Sequence, residues 1–199
     1  MLNQLTIPFI IAFIAYLAGS INFSIVLFKL LGKEDPRKGF SGNPGTTNVY
    51  RQAGIFWAVV VLLLDIGRAV AVAFAAVYFL DNTFITWIGF CLILGNRYPC
   101  FHGFKGGKGV ANFLGFSAVL AFWAALVSGI TWVAVNLITK KPFIASFAMV
   151  AVLGTGTILI FKENNAAISG TILTASFIII SHKKNVIEAY TKSKQRART

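Results

Sequence analysis

The chain contains few charged residues. Only 12% of its 199 residues are Asp, Glu, Lys or Arg, whereas 57% are hydrophobic and the mean hydropathy is +0.76. Soluble domains contain about 25% charged residues, so the polar surface available here is too small to cover a globule in water. The composition excludes a soluble enzyme and a disordered tail, and it predicts an integral membrane protein.

Cysteine is also scarce. The chain has two cysteines, Cys91 and Cys100, and both lie in or beside an apolar segment. Disulfide-stabilised scaffolds are dense in cysteine, so that class is excluded. We predict that both residues are free thiols.

Acidic residues are outnumbered three to one. The 6 Asp and Glu residues face 18 Lys and Arg residues, which gives a formal net charge of +12. In a membrane protein such an excess serves topology, attracts anionic lipid or binds an anionic substrate. The positions of the charges must decide among these roles.

Seven apolar segments follow one another, so the sequence predicts an all-α transmembrane bundle of about seven spans in a single domain (residues 1–199). A helix needs roughly 20 residues to cross the hydrocarbon core. The segments at 84–96 and 110–119 are shorter, which leaves five or six spans as an alternative. The first segment is too long for a signal peptide, so we expect it to remain as a span. The segments are Ile7–Leu31, Ile55–Leu80, Phe84–Asn96, Val110–Val119, Leu120–Thr139, Phe143–Phe161 and Ala166–Ser181.

The basic residues mark one side of the membrane. They are concentrated in loop 1 (residues 32–53), loop 2 (residues 97–109), the Lys140-Lys141 pair and the tail (residues 182–199). With seven spans, all four fall on the same side, whereas the connections between them carry no excess of base. The positive-inside rule therefore puts the N-terminus outside and the tail in the cytoplasm.

Loop 1 and loop 2 both combine glycine with basic residues. Loop 1 contains Ser41-Gly42-Asn43-Pro44-Gly45, and loop 2 contains Gly103-Phe104-Lys105-Gly106-Gly107-Lys108-Gly109. Glycine lets successive backbone N–H groups converge on an anion, and Lys and Arg add charge that phosphate oxygens accept. A helix starting near Val110 would direct its positive end at the same anion. We therefore predict a phosphate site; the alternative is that these charges only set the topology.

Loop 2 superficially matches the nucleotide-binding pattern G-x-x-x-x-G-K-[ST]. It is one residue short, and Gly109 stands where Ser or Thr is required. A chain of membrane helices also offers no βαβ unit. We exclude an ATP site of this type.

Five further polar residues have two interpretations each. Asp65 and Arg68 are three residues apart in the second segment, which predicts an intramembrane ion pair; alternatively, Arg68 reaches the loop site. We interpret Asn22 as a helix-packing residue rather than a ligand, and His102 as an interfacial residue. His182 ends the last segment and is either a polar stop or a donor or base at the anion site.

The two loop motifs, together with His182 and Asn185, resemble those of the bacterial PlsY family, the acyl-phosphate:glycerol-3-phosphate acyltransferases. The resemblance extends from Gly19-Ser20 to the tail. Four positions depart from the usual pattern: Phe40 stands before the serine where Gly is common, Asn96 replaces a His, Arg68 replaces a Lys, and Ser181 replaces the first Arg of Arg-His-Arg.

The resemblance implies a bacterial inner-membrane enzyme whose active site faces the cytoplasm. It would transfer a fatty acyl group from acyl phosphate to the 1-hydroxyl of sn-glycerol 3-phosphate. The products would be lysophosphatidate and inorganic phosphate, in the first acylation step of phospholipid biosynthesis. The resemblance implies that no cofactor, metal or nucleic acid takes part. It also implies that the protein is surrounded by membrane lipid and that a monomer is sufficient. The implied catalytic residues are Ser41, Arg51, Lys108 and His182, and the implied phosphate-binding residues are Gly42, Asn43, Gly45, Asn48, Lys105, Gly106, Gly107 and Asn185.

No Ser-His-Asp set is evident, and neither histidine begins an H-x-x-x-x-D motif. We therefore hypothesise direct attack by the acceptor hydroxyl, with either His182 or a substrate phosphate oxygen as the base. Three alternatives stay open at this point. They are a transporter of a phosphorylated molecule, a non-catalytic subunit that binds anionic lipid, and an acyltransferase that uses acyl-CoA or acyl-carrier protein.

Overall fold

The computed structural model describes residues 5–196, and this part of the chain folds into ten α-helices. The predicted domain and tail extend to residues 1–4 and 197–199, which lie outside the described residues. The helices are α1 (Thr6–Ser20), α2 (Phe23–Leu30), α3 (Thr46–Ala53), α4 (Ile55–Phe79), α5 (Asn82–Arg97), α6 (Val110–Leu120), α7 (Phe122–Thr139), α8 (Pro142–Ile160), α9 (Asn165–Ser181) and α10 (Lys183–Arg196).

The helices follow the predicted apolar segments. By length and composition, α4, α7, α8 and the combined stretch Thr6–Leu30 can each cross a membrane, and α9 with the first part of α10 forms a fifth candidate bent by 41°. The α5 and α6 helices have 16 and 11 residues. At 1.5 Å per residue, α6 is about 16 Å long, roughly half the hydrocarbon thickness. The described residues therefore support four or five spans, and crossing by α5 and α6 stays a prediction.

Three local features differ from the sequence prediction. The first apolar segment is broken between α1 and α2, because the side chain of Asn22 accepts a hydrogen bond from Ile25 N–H and starts a new helix. Loop 1 contains α3, whose Val49 is fully buried against α2 and α4. The tail contains α10, which continues from the end of α9.

The basic segments meet at one end of the bundle. Arg37 of loop 1 donates hydrogen bonds to two carbonyls of loop 2, and Lys108 of loop 2 contacts Asn185 in α10. At the other end, Asn164 donates to Thr83 at 3.3 Å, which joins two of the connections that lack excess base. Loop 1, loop 2 and α10 therefore contact one another at one end of the bundle, whereas the side of the membrane that they face stays a prediction. These segments begin where the apolar helices α2, α5 and α9 end.

The predicted ion pair between Asp65 and Arg68 is confirmed, at 2.8 Å. The Arg68 guanidinium also donates to Asn112 Oδ1 at 2.6 Å and to the carbonyls of Ala18, at 3.2 Å, and Ile21. Arg68 therefore joins α4 to the broken end of α1 and to α6. Both side chains of the pair are nearly buried, so the arginine serves the bundle interior, as the ion-pair interpretation predicted.

Helices α1 and α5 pack in backbone contact. A Cβ atom added at Gly19 would lie 2.0 Å from the Leu92 carbonyl oxygen, and one added at Gly95 would lie 2.1 Å from the Tyr16 carbonyl oxygen. Small residues allow membrane helices to approach closely. This crossing holds the break after α1 beside the start of loop 2.

Replacing Gly95 by alanine should therefore destabilise the protein. The new methyl group forces the two backbones apart, and overpacking typically costs about 1–3 kcal/mol. Gly67 of α4 is the matched control, because no described residue outside its own stretch of helix lies within 4 Å of its Cβ position. We expect a lower unfolding temperature in detergent for Gly95→Ala and an unchanged or higher one for Gly67→Ala, since alanine favours the helix. Equal unfolding temperatures would contradict the close crossing.

Candidate functional site

Loop 1 is anchored on both sides of its Ser41–Gly45 segment. On α3, Asn48 donates from Nδ2 to the carbonyl oxygens of Pro36, at 2.8 Å, and Gly39, at 3.2 Å. Val49, the next residue, is fully buried. Asn48 was predicted to bind phosphate; its amide hydrogens hold the loop, and its role toward a ligand stays a prediction.

Each glycine-rich loop leads into a helix whose N-terminus lacks a side-chain cap. Gly45 precedes α3 and Gly109 precedes α6, and no described side chain accepts a hydrogen bond from either first turn. The first N–H groups of a helix have no intrahelical partner and carry partial positive charge. The predicted helix start at Val110 is confirmed, and α3 supplies a second one. Both can bind a phosphate through backbone donors.

Gly106 and Gly107 lie against the end of α5. The Gly106 N–H donates to the Arg97 carbonyl at 3.1 Å, and the Gly107 N–H donates to the Asn96 carbonyl at 2.9 Å. A Cβ atom at Gly106 would lie 2.1 Å from the Asn96 oxygen. These two N–H groups are therefore engaged, contrary to the expected nest. The glycines allow the close backbone approach that places Lys108 at the start of α6.

Lys108, Asn185 and His182 come together where loop 2 meets the junction of α9 and α10. The Lys108 ammonium donates to Asn185 Oδ1. His182 is 3% exposed and packs edge-on against Phe147 of α8, with the ring centroids 5.4 Å apart. Its Nδ1 lies 2.8 Å from the Ile178 carbonyl oxygen. Because a carbonyl can only accept, Nδ1 carries the hydrogen and Nε2 is left as an acceptor.

The charges of this cluster are coupled. Burial, followed by the positive charge of Arg97, lowers the pKa of Lys108 to about 8. Burial, followed by the charge of Lys108, lowers the pKa of His182 to about 4, so this histidine is neutral at pH 7. Removing a positive charge from water and placing it beside another favours the neutral form in both residues. A bound anion would offset the repulsion between the positive charges, because it stabilises the protonated form of Lys108.

Four of the other predicted residues lie at the surface of this end. Ser41, Gly42, Arg51 and Lys105 are exposed. Within the described part of the chain, the Ser41 and Arg51 side chains make no hydrogen bond or ion pair, and Lys105 contributes only its carbonyl oxygen, to Arg37. No hydrogen bond joins Ser41 or Arg51 to the Lys108 cluster, so their part in one common site stays a prediction.

The sequence motifs did not identify two arginines at this end, Arg37 and Arg97, as site residues. Arg37 bridges loop 1 and loop 2, and its only sequence signal is its place in an Asp-Pro turn. Arg97 ends α5, stands half-buried over the Tyr98 ring at 5.4 Å, and acts on Lys108 through its charge. Its position depends on the backbone contact with Gly106, which no local pattern reveals.

Comparisons with known proteins agree on one family. A family model described as "Glycerol-3-phosphate acyltransferase" matches residues 9–192. A protein of that name from Pseudomonas putida (strain GB-1) is 37% identical over 91% of this chain and 95% of its own length. Two crystal structures of PlsY (YgiH), an integral membrane glycerol 3-phosphate acyltransferase, are also similar. The glycerol 3-phosphate form has a TM-score of 0.86 at 32% identity, and the lysophosphatidic acid form has 0.82 at 31%; each match covers 93% of this chain and 92% of the other.

Proposed function

Because the chain belongs to the PlsY family of glycerol-3-phosphate acyltransferases, we propose that it transfers a fatty acyl group from acyl phosphate to the 1-hydroxyl of sn-glycerol 3-phosphate. The products are lysophosphatidate and inorganic phosphate. One observation carries the proposal: loop 1, loop 2 and α10 meet at one end of the bundle, and Lys108 lies next to Gly109, the residue from which the uncapped helix α6 starts. This reaction is the first acylation of phospholipid biosynthesis.

The site suits reactants that are polar at one end and apolar at the other. The donor carries a fatty chain, which belongs in lipid, and a phosphate, which belongs in water. The basic loops begin where apolar helices end, so both parts have suitable surroundings at one level of the membrane. The related structures in glycerol 3-phosphate and lysophosphatidic acid forms support the acceptor and the product.

The chemistry needs positioning and charge stabilisation more than a nucleophilic side chain. The acceptor hydroxyl attacks the acyl carbonyl carbon, a new ester C–O bond forms, and the bond between carbonyl carbon and phosphate oxygen breaks. Phosphate leaves with the electron pair, and Lys108 with the N–H groups at the start of α6 stabilises its charge. Ser41, Arg51 and Asn185 complete the phosphate contacts, together with the remaining loop residues that the family resemblance implies.

The hydroxyl proton has two acceptors within this scheme, His182 Nε2 and a phosphate oxygen. A base works best when its pKa lies near the working pH. The pKa of His182, at about 4, makes it a weak base, whereas a phosphate oxygen has a pKa of about 6. We favour transfer of the proton to a phosphate oxygen rather than to His182 Nε2.

The same proposal fixes the orientation. The chain is a single membrane domain in a bacterial inner membrane, with its N-terminus outside and the site facing the cytoplasm, since the basic loops gather at that end. Seven crossings follow if α5 and α6 both traverse the bilayer. A monomer holds every residue named for the site.

Phosphate release by the purified protein tests the proposal. The protein is given palmitoyl phosphate with and without glycerol 3-phosphate, and lysophosphatidate is measured beside phosphate. We expect release that depends on the acceptor, with both products formed in equal amounts. Transfer only from acyl-CoA or acyl-carrier protein would overturn the donor. No transfer by folded protein from any of these donors, together with uptake of the phosphorylated molecule into proteoliposomes, would favour a transporter.

A further inference from the structure

Arg37 joins the two glycine-rich loops. Its Nη1 donates to the carbonyl oxygens of His102, at 2.7 Å, and Lys105, at 3.0 Å. Its Nε and Nη2 donate to the Asp35 carboxylate at 2.6–3.0 Å. All three guanidinium nitrogens are therefore engaged, two with loop 1 and one with loop 2.

A tight turn in loop 2 presents two carbonyl oxygens to the Arg37 guanidinium. Gly103 and Phe104 both have left-handed backbone, with φ of +65° and +56°. A residue with a side chain rarely adopts this conformation, and it persists where surrounding contacts enforce it. The turn through these two residues brings the carbonyls on either side, those of His102 and Lys105, to the same nitrogen of Arg37.

The charge of Arg37 is already balanced within the chain. The hydrogen bonds from Arg37 hold the pKa of Asp35 below its usual value, so the carboxylate is ionised and pairs with the guanidinium. Arg51 and Lys105, by contrast, are exposed and have no such partner in the described chain. Because its three nitrogens already donate within the protein and its charge is paired with Asp35, the Arg37 guanidinium is poorly suited to bind a phosphate.

We propose that Arg37 is a positioning residue that sets the separation of loop 1 and loop 2, and that it acts through the His102 and Lys105 carbonyls rather than on a substrate. This inference rests on the proposed function, because the loops are taken to hold the phosphates of donor and acceptor. Arg37 then fixes the distance between the uncapped starts of α3 and α6, and with it the distance between the two reactants. A misplacement of about 1 Å between reactants can cost about 10²-fold in rate.

Arg37→Ala and Arg37→Lys test this role, with Lys38→Ala as the matched control. Lys38 is the next residue, is exposed, and among residues 5–196 pairs only with exposed Glu34. A lysine at position 37 carries the charge but lacks the planar fork that reaches a carboxylate and two carbonyls together. We expect kcat to fall by about 10–100-fold in both Arg37 variants, with the KM for glycerol 3-phosphate changed less than threefold. A raised KM at unchanged kcat would show instead that Arg37 binds substrate.

Hydrogen–deuterium exchange supplies a readout that does not depend on activity. Exchange of residues 102–109 should rise in Arg37→Ala and stay at the wild-type level in Lys38→Ala, with α4 and α8 unchanged in both as a check on folding. Unchanged exchange at 102–109 in Arg37→Ala would overturn the inference. If the wild type transfers no acyl group while exchange responds as expected, the proposed function fails and the joining of the loops by Arg37 stands.

Discussion

Replacing Lys108 by alanine is expected to lower kcat/KM for acyl transfer by about 10²–10³-fold, the cost of removing one pre-organised charge-stabilising donor. Lys108 donates to Asn185 and lies next to Gly109, the residue from which α6 starts. In the proposed mechanism its ammonium stabilises the negative charge that develops on the leaving phosphate. The loss should therefore appear mainly in kcat rather than in substrate affinity.

The pH profile separates this role from a structural one. Because the pKa of Lys108 is about 8 in the free protein, its charge disappears as the pH rises through 8, and kcat/KM should fall above that pH. An arginine stays protonated throughout this range, so Lys108→Arg should retain part of the activity and lose the alkaline decline.

Lys162→Ala is the control for charge alone. Lys162 is exposed at the other end of the bundle, 3.9 Å from Glu163, and its removal changes the net charge by the same amount. We expect wild-type kcat/KM in that variant. Full activity of Lys108→Ala, or an alkaline decline that survives in Lys108→Arg, would remove Lys108 from the proposed mechanism.

Arg68→Met is expected to produce the largest loss of stability, about 3–5 kcal/mol. Breaking a buried pair leaves one charge without a partner, and here that charge is the Asp65 carboxylate inside the bundle. The change also frees the Asn112 amide oxygen and the carbonyls at the end of α1. The break between α1 and α2 should loosen, and with it Asn22, whose amide reaches the Pro44 carbonyl of loop 1 at 3.4 Å.

Thermal unfolding in detergent measures this effect. A thiol-reactive dye reports the exposure of Cys91 and Cys100, both half-buried free cysteines. The double variant Asp65→Asn/Arg68→Met should recover part of the loss, because it leaves no unpaired charge. Arg68→Lys should lie between the wild type and Arg68→Met, because lysine keeps the charge beside Asp65 but lacks the fork that also reaches Asn112 and the end of α1. A double variant less stable than Arg68→Met would contradict the account based on the unpaired carboxylate.

Sequence patterns predict most of the helices here, because a long apolar stretch has few other stable states in a membrane. They fail where a single polar residue changes the backbone. Asn22 stands between two apolar stretches that read as one helix, and only its hydrogen bond to Ile25 N–H reveals the break. Helix α3 was missed because it is mostly polar, and the burial of Val49 depends on α2 and α4.

In the candidate site, too, some residues could be predicted from sequence motifs and others could not. Lys108, His182 and Asn185 were identified through motifs, and the fold brings them into one cluster. Arg37 was not, because its partners lie 65 and 68 residues further along the chain. Nothing in the composition indicated that the N–H groups of Gly106 and Gly107 donate to the end of α5, since composition cannot tell a glycine that binds an anion from one that lets two chain segments touch. Phosphate binding by these two glycines stays a prediction. Whether a loop glycine contacts another segment depends here on where α5 ends, because its last residues accept the two hydrogen bonds.

The abrupt change from apolar helix to basic loop at one end of the bundle has a kinetic consequence. The proposed acyl-phosphate donor would reach such a site by lateral diffusion, with its chain in hydrocarbon and only its head group among the loops. The concentration that governs the rate is then the mole fraction of donor in the bilayer, and diluting the donor with inert lipid slows the reaction even when its amount per volume is constant. The acceptor arrives from water and obeys ordinary bulk concentration. The rate therefore depends on a surface concentration for the donor and on a bulk concentration for the acceptor.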